Sequence, residues 1–267
     1  MKISRRGVIG FLAAATMAAS GTMALAAGVL RVASYPANPP WEFKDASGNF
    51  QGFEVDIVKE IAKRLDMTPK IEGMDFKALF VASASRRVDL VISSLTITND
   101  RLKSQSFTQP IVAGALGFAT LANENIHGLG DLKGKVVGSI ATSFGENWLK
   151  QRKDKIGYRS YKSYDTLSNM LTDLTNGRVD AVANDIVGLR YAMTKMKGLD
   201  VPIEIQTGEK FAMMMPKNAP LLQKINDAMS AMKKDGTMKA IYHHWFGVDP
   251  KPDSYTLTAM PVPTATN

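Results

Sequence analysis

One polar run follows directly on an apolar segment in the first half of the chain. Residues 88–92 (VDLVI) are nearly all apolar, and residues 93–101 (SSLTITNDR) come next and lead into a predicted helix. Such an apolar run is typical of a strand buried on both faces of a parallel sheet, and ligands of open α/β sheets bind at the carboxyl ends of the strands. A helix start suits an anion, and an arginine can hold a carboxylate through two hydrogen bonds. Arg101 is therefore a candidate anion-binding residue; the alternative is a capped helix with a surface arginine.

A second polar position repeats this arrangement later in the chain. Residues 179–183 (VDAVA) form another buried strand, and Asp185 stands at its end. Taken alone, Asp185 is expected to be the N-cap of the following helix, a position that aspartate favours. Opposite Arg101 across a cleft, it would supply the second charge. One cation facing one carboxylate is complementary to a zwitterion such as an α-amino acid.

Two similar α/β units must position these side chains. In the first unit, strands at 30–34, 71–74 and 88–92 alternate with two helices. Thr68 and Pro69 end the first of these helices, and the second spans 76–84. In the second, strands at 135–140, 158–161 and 179–183 alternate with helices at 146–152, 167–176 and 185–195. This alternation is typical of an α/β protein with parallel strands. Extended segments at 111–121 and 203–215 are predicted to be paired crossovers between two lobes.

These elements predict the following organisation. Residues 27–112 and 209–248 form a discontinuous first lobe, and residues 113–208 form a second lobe with hinge segments at its ends. Helices at 220–235 and 237–246 close the first lobe, and a Pro-rich tail at 249–267 is expected to be poorly ordered.

The composition excludes several classes of protein. The 267 residues include no cysteine, 45% hydrophobic and 22% charged residues, and a net charge of +8. The absence of cysteine excludes thiolate nucleophiles, disulfides, zinc fingers and cysteine-ligated clusters. The basic clusters are short and lack interleaved aromatic residues, so no nucleic-acid partner is predicted. His243 and His244 are adjacent and share no helix face, so no metal site is predicted.

The first 26 residues are predicted to be a cleaved export signal. They contain Arg5 and Arg6, an apolar run at 7–19, and a small-x-small site that predicts cleavage after Ala26. The pair of arginines leaves the twin-arginine and general secretory routes both open. Without cysteine, no lipoprotein anchor is expected, and the mature chain is predicted to be a soluble periplasmic monomer.

The order of several short motifs gives a resemblance across residues 30–248. The chain resembles the polar amino-acid family of periplasmic solute-binding proteins, which feed ABC importers. The motifs are NPPWEFKD (38–45), GFEVDI (52–57), DLVISSLTITNDR (89–101), FTQP (107–110), DLKGKVVG (131–138), GRVDA (177–181), DGTM (235–238) and WF (245–246). The resemblance implies the type II two-lobed fold, with two parallel-rich sheets joined by two crossover strands and a ligand cleft between them. It also implies a binding protein rather than an enzyme, without cofactor or metal, that delivers an L-amino acid to an ABC permease in the inner membrane.

The resemblance also assigns roles to residues. The substrate α-carboxylate would be held by Arg101, with help from Thr96 and from Thr142 and Ser143 in the second lobe. The α-ammonium would be held by Asp185 and by groups around Ser94. The side-chain pocket would be lined by Tyr35, Asn38, Trp41 and Phe76. Basic-amino-acid binders of the family carry an acid where Tyr35 stands, which disfavours a cationic ligand, although Glu42, Asp45 or Asp75 could still reach one.

Two other functions remain open at this point. The chain also resembles periplasmic cyclohexadienyl dehydratases, whose cleft is catalytic, and Glu42 or Glu54 would then be the general acid. The third alternative is a ligand-sensing subunit that reports to a separate membrane receptor.

Overall fold

The computed structural model describes residues 28–265. The predicted export signal and its cleavage site lie outside these residues. The strands are β1 (Gly28–Ser34), β2 (Ala37–Asn38), β3 (Glu42–Lys44), β4 (Phe50–Gln51), β5 (Met67–Gly73), β6 (Leu90–Ile92), β7 (Gln105–Phe107), β8 (Val112–Ala113), β9 (Leu116–Leu121), β10 (Val136–Ile140), β11 (Ser160–Tyr164), β12 (Ala181–Asp185), β13 (Leu199–Ile205), β14 (Lys210–Phe211) and β15 (Met214–Pro216). The helices are α1 (Phe53–Arg64), α2 (Phe76–Ala84), α3 (Asn99–Ser104), α4 (Phe144–Gln151), α5 (Lys153–Ile156), α6 (Leu167–Thr175), α7 (Ile186–Met193), α8 (Leu222–Lys234) and α9 (Thr237–Phe246).

Two five-stranded sheets organise the molecule, and we call the part built on each sheet a lobe. The first sheet has the order β5-β1-β6-β15-β7, in which β1 is parallel to β5 and β6. The second has the order β11-β10-β12-β9-β13, in which β10 is parallel to β11 and β12. The returning strands β15 and β9 are antiparallel to their neighbours. The predicted α/β class with parallel-rich sheets is confirmed.

Helices cover both faces of each sheet. In the first lobe, α1, α8 and α9 share one apolar core with the sheet, and α2 and α3 contribute to a core on the opposite face. In the second lobe, α4 lies in one core, while α6 and α7 lie in the other. The central strands β6 and β12 are therefore apolar because both of their faces are covered.

The first helix and the strand after it differ from the prediction. Helix α1 ends at Arg64, and the residues expected to end it belong to β5, which begins at Met67. Pro69 is tolerated there because β5 is the edge strand of its sheet, where a missing N–H leaves no ladder hydrogen bond broken.

The two predicted crossovers are paired. Strand β8 of the first crossover is antiparallel to β14 of the second, and Thr96 forms an isolated bridge with Phe211 of the same strand. This pairing places the carboxyl end of β6 beside the segments that join the lobes.

The described part of the C-terminal tail, residues 249–265, packs against the first crossover, so the expectation of poor order is wrong for these residues. Thr256 is 1% exposed, and its hydroxyl donates a 3.0 Å hydrogen bond to the carbonyl of Ile111. The amide of Met260 donates to the Gln109 side chain, also at 3.0 Å. Within residues 28–265, helices long and apolar enough to cross a bilayer are absent.

Candidate functional site

A cleft lies between the carboxyl ends of the two sheets. It encloses about 600 Å³ of space, part of which is open to solvent. Eight of the ten predicted ligand-binding residues line it, namely Tyr35, Asn38, Phe76, Ser94, Thr96, Arg101, Ser143 and Asp185. The sequence reasoning missed the other lining residues, which are Ser93, Leu116, Ile140, Phe144, Gly145, Leu167, Asn184, Glu209 and Phe211.

Arg101 is held by backbone carbonyls from both lobes. Its guanidinium donates to the carbonyl of Thr96 at 2.8 Å and to that of Thr142 at 3.2 Å, and it lies 5.0 Å over the ring of Phe80. Burial lowers its pKa to about 10, so the side chain stays cationic at neutral pH. Because a guanidinium has five N–H donors, these two bonds leave donors for an anion in the cleft.

Helix α3 is short and begins just before Arg101. It has only six residues, and the hydroxyl of its N-cap Thr98 accepts the amide of Arg101. This cap helps to position the arginine at the cleft.

Helix α4 brings a second set of donors from the opposite lobe. Ser143 is its N-cap and accepts the Glu146 amide at 3.1 Å, while Phe144 and Gly145 line the cleft with the first turn. First-turn amides lack partners inside their own helix, so this turn suits an anion near Arg101.

Thr142 acts differently from the prediction. It is not part of the cleft lining, and its hydroxyl donates to the carbonyl of Ala141 at 2.6 Å. Its own carbonyl accepts from Arg101, so Thr142 contacts the arginine through its backbone, and its side chain does not line the cleft.

Asp185 carries an unused acceptor. It is the N-cap of α7, as predicted, because its Oδ2 accepts the Gly188 amide at 2.8 Å, and the same atom accepts the indole N–H of Trp41 at 2.8 Å. Its Oδ1 is buried and has no hydrogen-bond donor among the described residues. Burial raises the pKa of Asp185 to about 6. Since an unpaired buried carboxylate oxygen is costly, the site favours a donor from a ligand.

Trp41 does not line the cleft, in contrast to the prediction. It is 3% exposed and packs edge-on against the rings of Phe53, Phe211 and Phe246 in the first-lobe core. Its indole N–H reaches the other lobe, where it donates to Asp185. A second hydrogen bond also joins the two lobes: the backbone N–H of Leu167 donates to the Tyr35 hydroxyl at 3.2 Å.

Glu209 is the charged residue among the lining residues that sequence reasoning missed. It lines the cleft, and its carboxylate accepts the hydroxyls of Thr96 at 2.6 Å and Thr207 at 2.8 Å. Burial raises its pKa, and the nearby Arg101 opposes that shift. The sequence feature that could have identified Glu209 is an acidic residue inside the second predicted crossover. The hydroxyl of Thr96 is committed to this carboxylate.

The three acids considered for a cationic ligand lie elsewhere. Glu42 is completely buried and outside the lining. Asp45 accepts the amides of Ser47 and Asn49 in an exposed turn, and Asp75 stands at the N-cap position of α2.

Comparison with known proteins decides the family. The model of the bacterial extracellular solute-binding proteins, family 3, matches residues 30–248. This chain belongs to that family. Its two-lobed structure is the type II fold of periplasmic binding proteins.

Relatives and solved structures of the family 3 binding proteins resemble the chain over most of its length. The L-cystine-binding protein TcyJ of Escherichia coli is 30% identical over 92% of this chain and 97% of its own. The putative ABC transporter arginine-binding protein 2 of Escherichia coli is 30% identical over 88% of this chain and 98% of its own. The structure of an ancestral arginine-binding protein bound to arginine has a TM-score of 0.78 and 36% identity, and covers 82% of this chain and 99% of that protein.

Proposed function

We propose that this family 3 protein captures an L-amino acid in the cleft and delivers it to an ABC-type import permease in the inner membrane. The observation that carries the proposal is a pair of oppositely charged groups in the cleft lining that keep hydrogen-bonding capacity for a ligand. Arg101 offers spare N–H donors beside the first turn of α4, and Asp185 offers a buried oxygen without a donor. A carboxylate and an ammonium on one α-carbon satisfy both.

In this proposal, ligand binding favours the closed arrangement of the lobes. Arg101 belongs to the first lobe and Asp185 to the second, so each lobe binds one end of the zwitterion. A ligand that contacts both lobes binds the closed form more tightly and shifts the population toward it. The permease would then recognise the closed shape.

The pocket for the ligand side chain combines aromatic and polar groups. Tyr35 and Phe76 line it together with the amides of Asn38 and Asn184 and the carboxylate of Glu209. Relatives named for cystine and for arginine support the amino-acid class. We propose a polar L-amino acid.

The remaining assignments are part of the same proposal. The mature chain starts after Ala26, works in the periplasm as a monomer, and has its lobe boundaries near residues 112 and 209 and its tail from residue 249. No catalytic role is assigned to Glu42 or Glu54, the two general acids considered for a dehydratase, because both lie outside the cleft lining.

A thermal-shift screen tests the proposal. The mature chain is unfolded and refolded to remove any carried-over ligand, and then melted with each L-amino acid, several dipeptides and several opines. A ligand at 1,000 times its Kd adds about 4 kcal/mol, which corresponds to a rise of roughly 8–16 °C for a chain of this size. We expect this rise for a small group of amino acids. A screen without any shift contradicts the proposal. Formation of an aromatic product from arogenate or prephenate would then show that the protein is a dehydratase.

A further inference from the structure

Two glutamates form a buried pair behind the cleft. Glu42 lies on β3 and Glu54 in the first turn of α1, and they are 0% and 1% exposed. Glu42 accepts a hydrogen bond from Ser93 and Glu54 from the adjacent Ser94, and each carboxyl group acts on the pKa of the other. The proposed amino-acid site uses neither of them.

Half of the oxygens in this pair are already satisfied. Oε1 of Glu42 accepts the Asn38 amide at 2.8 Å and the Ser93 hydroxyl at 3.1 Å. Oε2 of Glu54 accepts the backbone N–H of Ser94 at 2.7 Å. The other two atoms, Oε2 of Glu42 and Oε1 of Glu54, are buried without a donor from the described residues.

A single proton between the two free oxygens removes this deficit. Two buried carboxylates in contact cannot both be ionised, because like charges in a poorly solvated site repel strongly. One proton on Glu42 Oε2 donates to Glu54 Oε1, so both oxygens gain a partner and one negative charge remains. We infer that Glu42 and Glu54 share one proton, and that this pair positions Asn38, Ser93 and Ser94 in the wall of the cleft.

The surroundings agree with a shared proton and do not favour double ionisation. The titratable groups that act on the pair are Asp185, which raises the pKa of Glu54, and the Tyr35 hydroxyl, whose pKa Glu42 raises. Among residues 28–265, no lysine or arginine makes an ion pair with either glutamate. Burial and the contact with Glu54 raise the pKa of Glu42 well above its ordinary range.

The pair fixes which way the Asn38 amide points. Its nitrogen donates to Glu42 and, at 3.0 Å, to the Ser94 hydroxyl, so its oxygen is turned the other way. A methyl group placed on Gly188 would lie 3.6 Å from this oxygen and 3.4 Å from Asp185 Oδ2. The Asn38 oxygen therefore lies close to the Asp185 carboxylate, where it would be a second acceptor for the ammonium of the proposed ligand.

The pair also supports the backbone of Ser94. This residue has a φ of +41°, a left-handed conformation that is uncommon for residues other than glycine. The bond from its amide to Glu54 holds the turn in that conformation. Only the role toward the ammonium rests on the proposed function; the shared proton is a property of the ligand-free protein.

Infrared spectroscopy of the ligand-free protein tests the shared proton. At about pH 5, above the ordinary pKa of a glutamate, a difference spectrum of wild type minus Glu42→Gln should contain the C=O stretch of a protonated carboxylic acid, shifted in D2O. Other buried acids are present in both proteins and cancel. Glu54→Gln should give the same band, because removing either partner removes the shared proton, and it serves if the first variant fails to fold. A difference spectrum without this band, from either folded variant, overturns the inference.

Hydrogen exchange of the Ser94 amide tests the positioning role. In Glu42→Gln, the new amide nitrogen donates to Glu54 as the proton did, so exchange should stay within about threefold of wild type. In Glu42→Gln/Glu54→Gln, the two side chains can keep their outer hydrogen bonds only if their NH2 groups, which are both donors, face each other. The bond from Ser94 is therefore weakened, and exchange should accelerate more than about tenfold. Equal protection in the single and double variants would contradict the role.

The pH profile of stability gives a third readout. A proton that binds more tightly in the folded state stabilises the folded protein. This stabilisation is complete below the pKa of glutamate in the unfolded chain, near 4.3, and it is lost as the pH rises through the pKa in the folded protein. The melting temperature of Glu42→Gln relative to wild type should therefore rise as the pH increases from about 5. A difference that stays constant as the pH increases would show that Glu42 does not carry the proton.

Discussion

The indole N–H of Trp41 donates a 2.8 Å hydrogen bond to Oδ2 of Asp185 across the cleft. The tryptophan is fixed in the first-lobe core by three aromatic rings, and the aspartate caps a helix of the second lobe. This bond therefore joins the lobes at the proposed ammonium site and leaves Oδ1 of Asp185 free. We interpret it as a contact that helps to hold the closed form and to orient the carboxylate before a ligand arrives.

Trp41→Phe should weaken ligand binding without unfolding the first lobe. The ring packing is largely kept, but a hydrogen bond to a charged acceptor is lost, which is worth about 1.5–3 kcal/mol or roughly 10- to 150-fold in Kd. Small-angle scattering of the ligand-free variant should also show a larger radius of gyration. Trp245→Phe is the matched control, because its indole donates to Asp56 at 2.9 Å within the first lobe. Equal losses of affinity in both variants would argue against the role of Trp41.

Amino-acid affinity should fall below about pH 6, where Asp185 takes up a proton. Its pKa is raised to about 6 by burial, and a protonated carboxyl no longer pairs with an ammonium. Each pH unit below that value should cost up to about tenfold in affinity, which isothermal titration calorimetry can follow.

Asp185→Asn tests whether protonation of Asp185 causes the loss of affinity at low pH. The new side chain still has an oxygen for Gly188 and Trp41, but its amide nitrogen replaces the free oxygen. We expect a loss of about 2–5 kcal/mol in binding and the disappearance of the acid limb. The stability of the ligand-free protein depends on pH in the opposite direction to the affinity. The raised pKa of Asp185 stabilises the folded protein below about pH 4, and this stabilisation is lost as the pH rises through about 6. Persistence of the acid limb in this variant would assign it to another group.

Glu209→Gln should change the preference for ligand charge. The amide oxygen still accepts the Thr96 hydroxyl, but the negative charge near Arg101 is removed. Affinity should shift from cationic toward acidic side chains by about 1–2 kcal/mol, as expected for charges roughly 10 Å apart at an effective dielectric constant near 20. Competition among L-lysine, L-glutamine and L-glutamate measures the shift. An unchanged order and spacing of the three affinities would exclude a role of Glu209 in specificity.

Removing the tail after Val248 should lower stability. The deletion takes away the buried hydroxyl of Thr256 and the Thr258 carbonyl, which accepts the buried Lys233 ammonium at 3.1 Å. A loss of about 1–3 kcal/mol in the free energy of unfolding is expected from chemical denaturation. Thr256→Val keeps the shape and removes only one hydrogen bond, so it should cost less than the deletion. A truncated chain as stable as the full one would show that these contacts contribute nothing.

The sequence predicted local features well and long-range contacts poorly. The apolar runs before Ser93 and Asp185 identified the central strands and the ends at which the cleft lies, since burial on both faces leaves a direct trace in composition. Helices α2 and α9 were predicted with their observed bounds. The tail was misjudged because its composition is that of a linker, whereas its order depends on contacts with the first crossover.

The charged centre of the site was predictable, but its supporting residues were not. Arg101 and Asp185 follow recognisable strands, and the resemblance to a known family assigned their roles. Trp41 pairs with a residue 144 positions away, and Thr96 with Glu209 across 113 positions. No local pattern encodes such pairs. The same holds for Glu42 and Glu54, whose acidic types alone gave no sign that they would be buried against each other.

Binding of chemically altered ligands tests the central claim most directly. The L-amino acid that gives the largest thermal shift is compared, by calorimetry on refolded protein, with its α-carboxamide and with its deaminated acid. The first analogue lacks the carboxylate proposed for Arg101, and the second lacks the ammonium proposed for Asp185. We predict that each loses at least about 2 kcal/mol, roughly 30-fold in Kd. If either analogue binds as tightly as the amino acid, the cleft does not hold the zwitterion between Arg101 and Asp185.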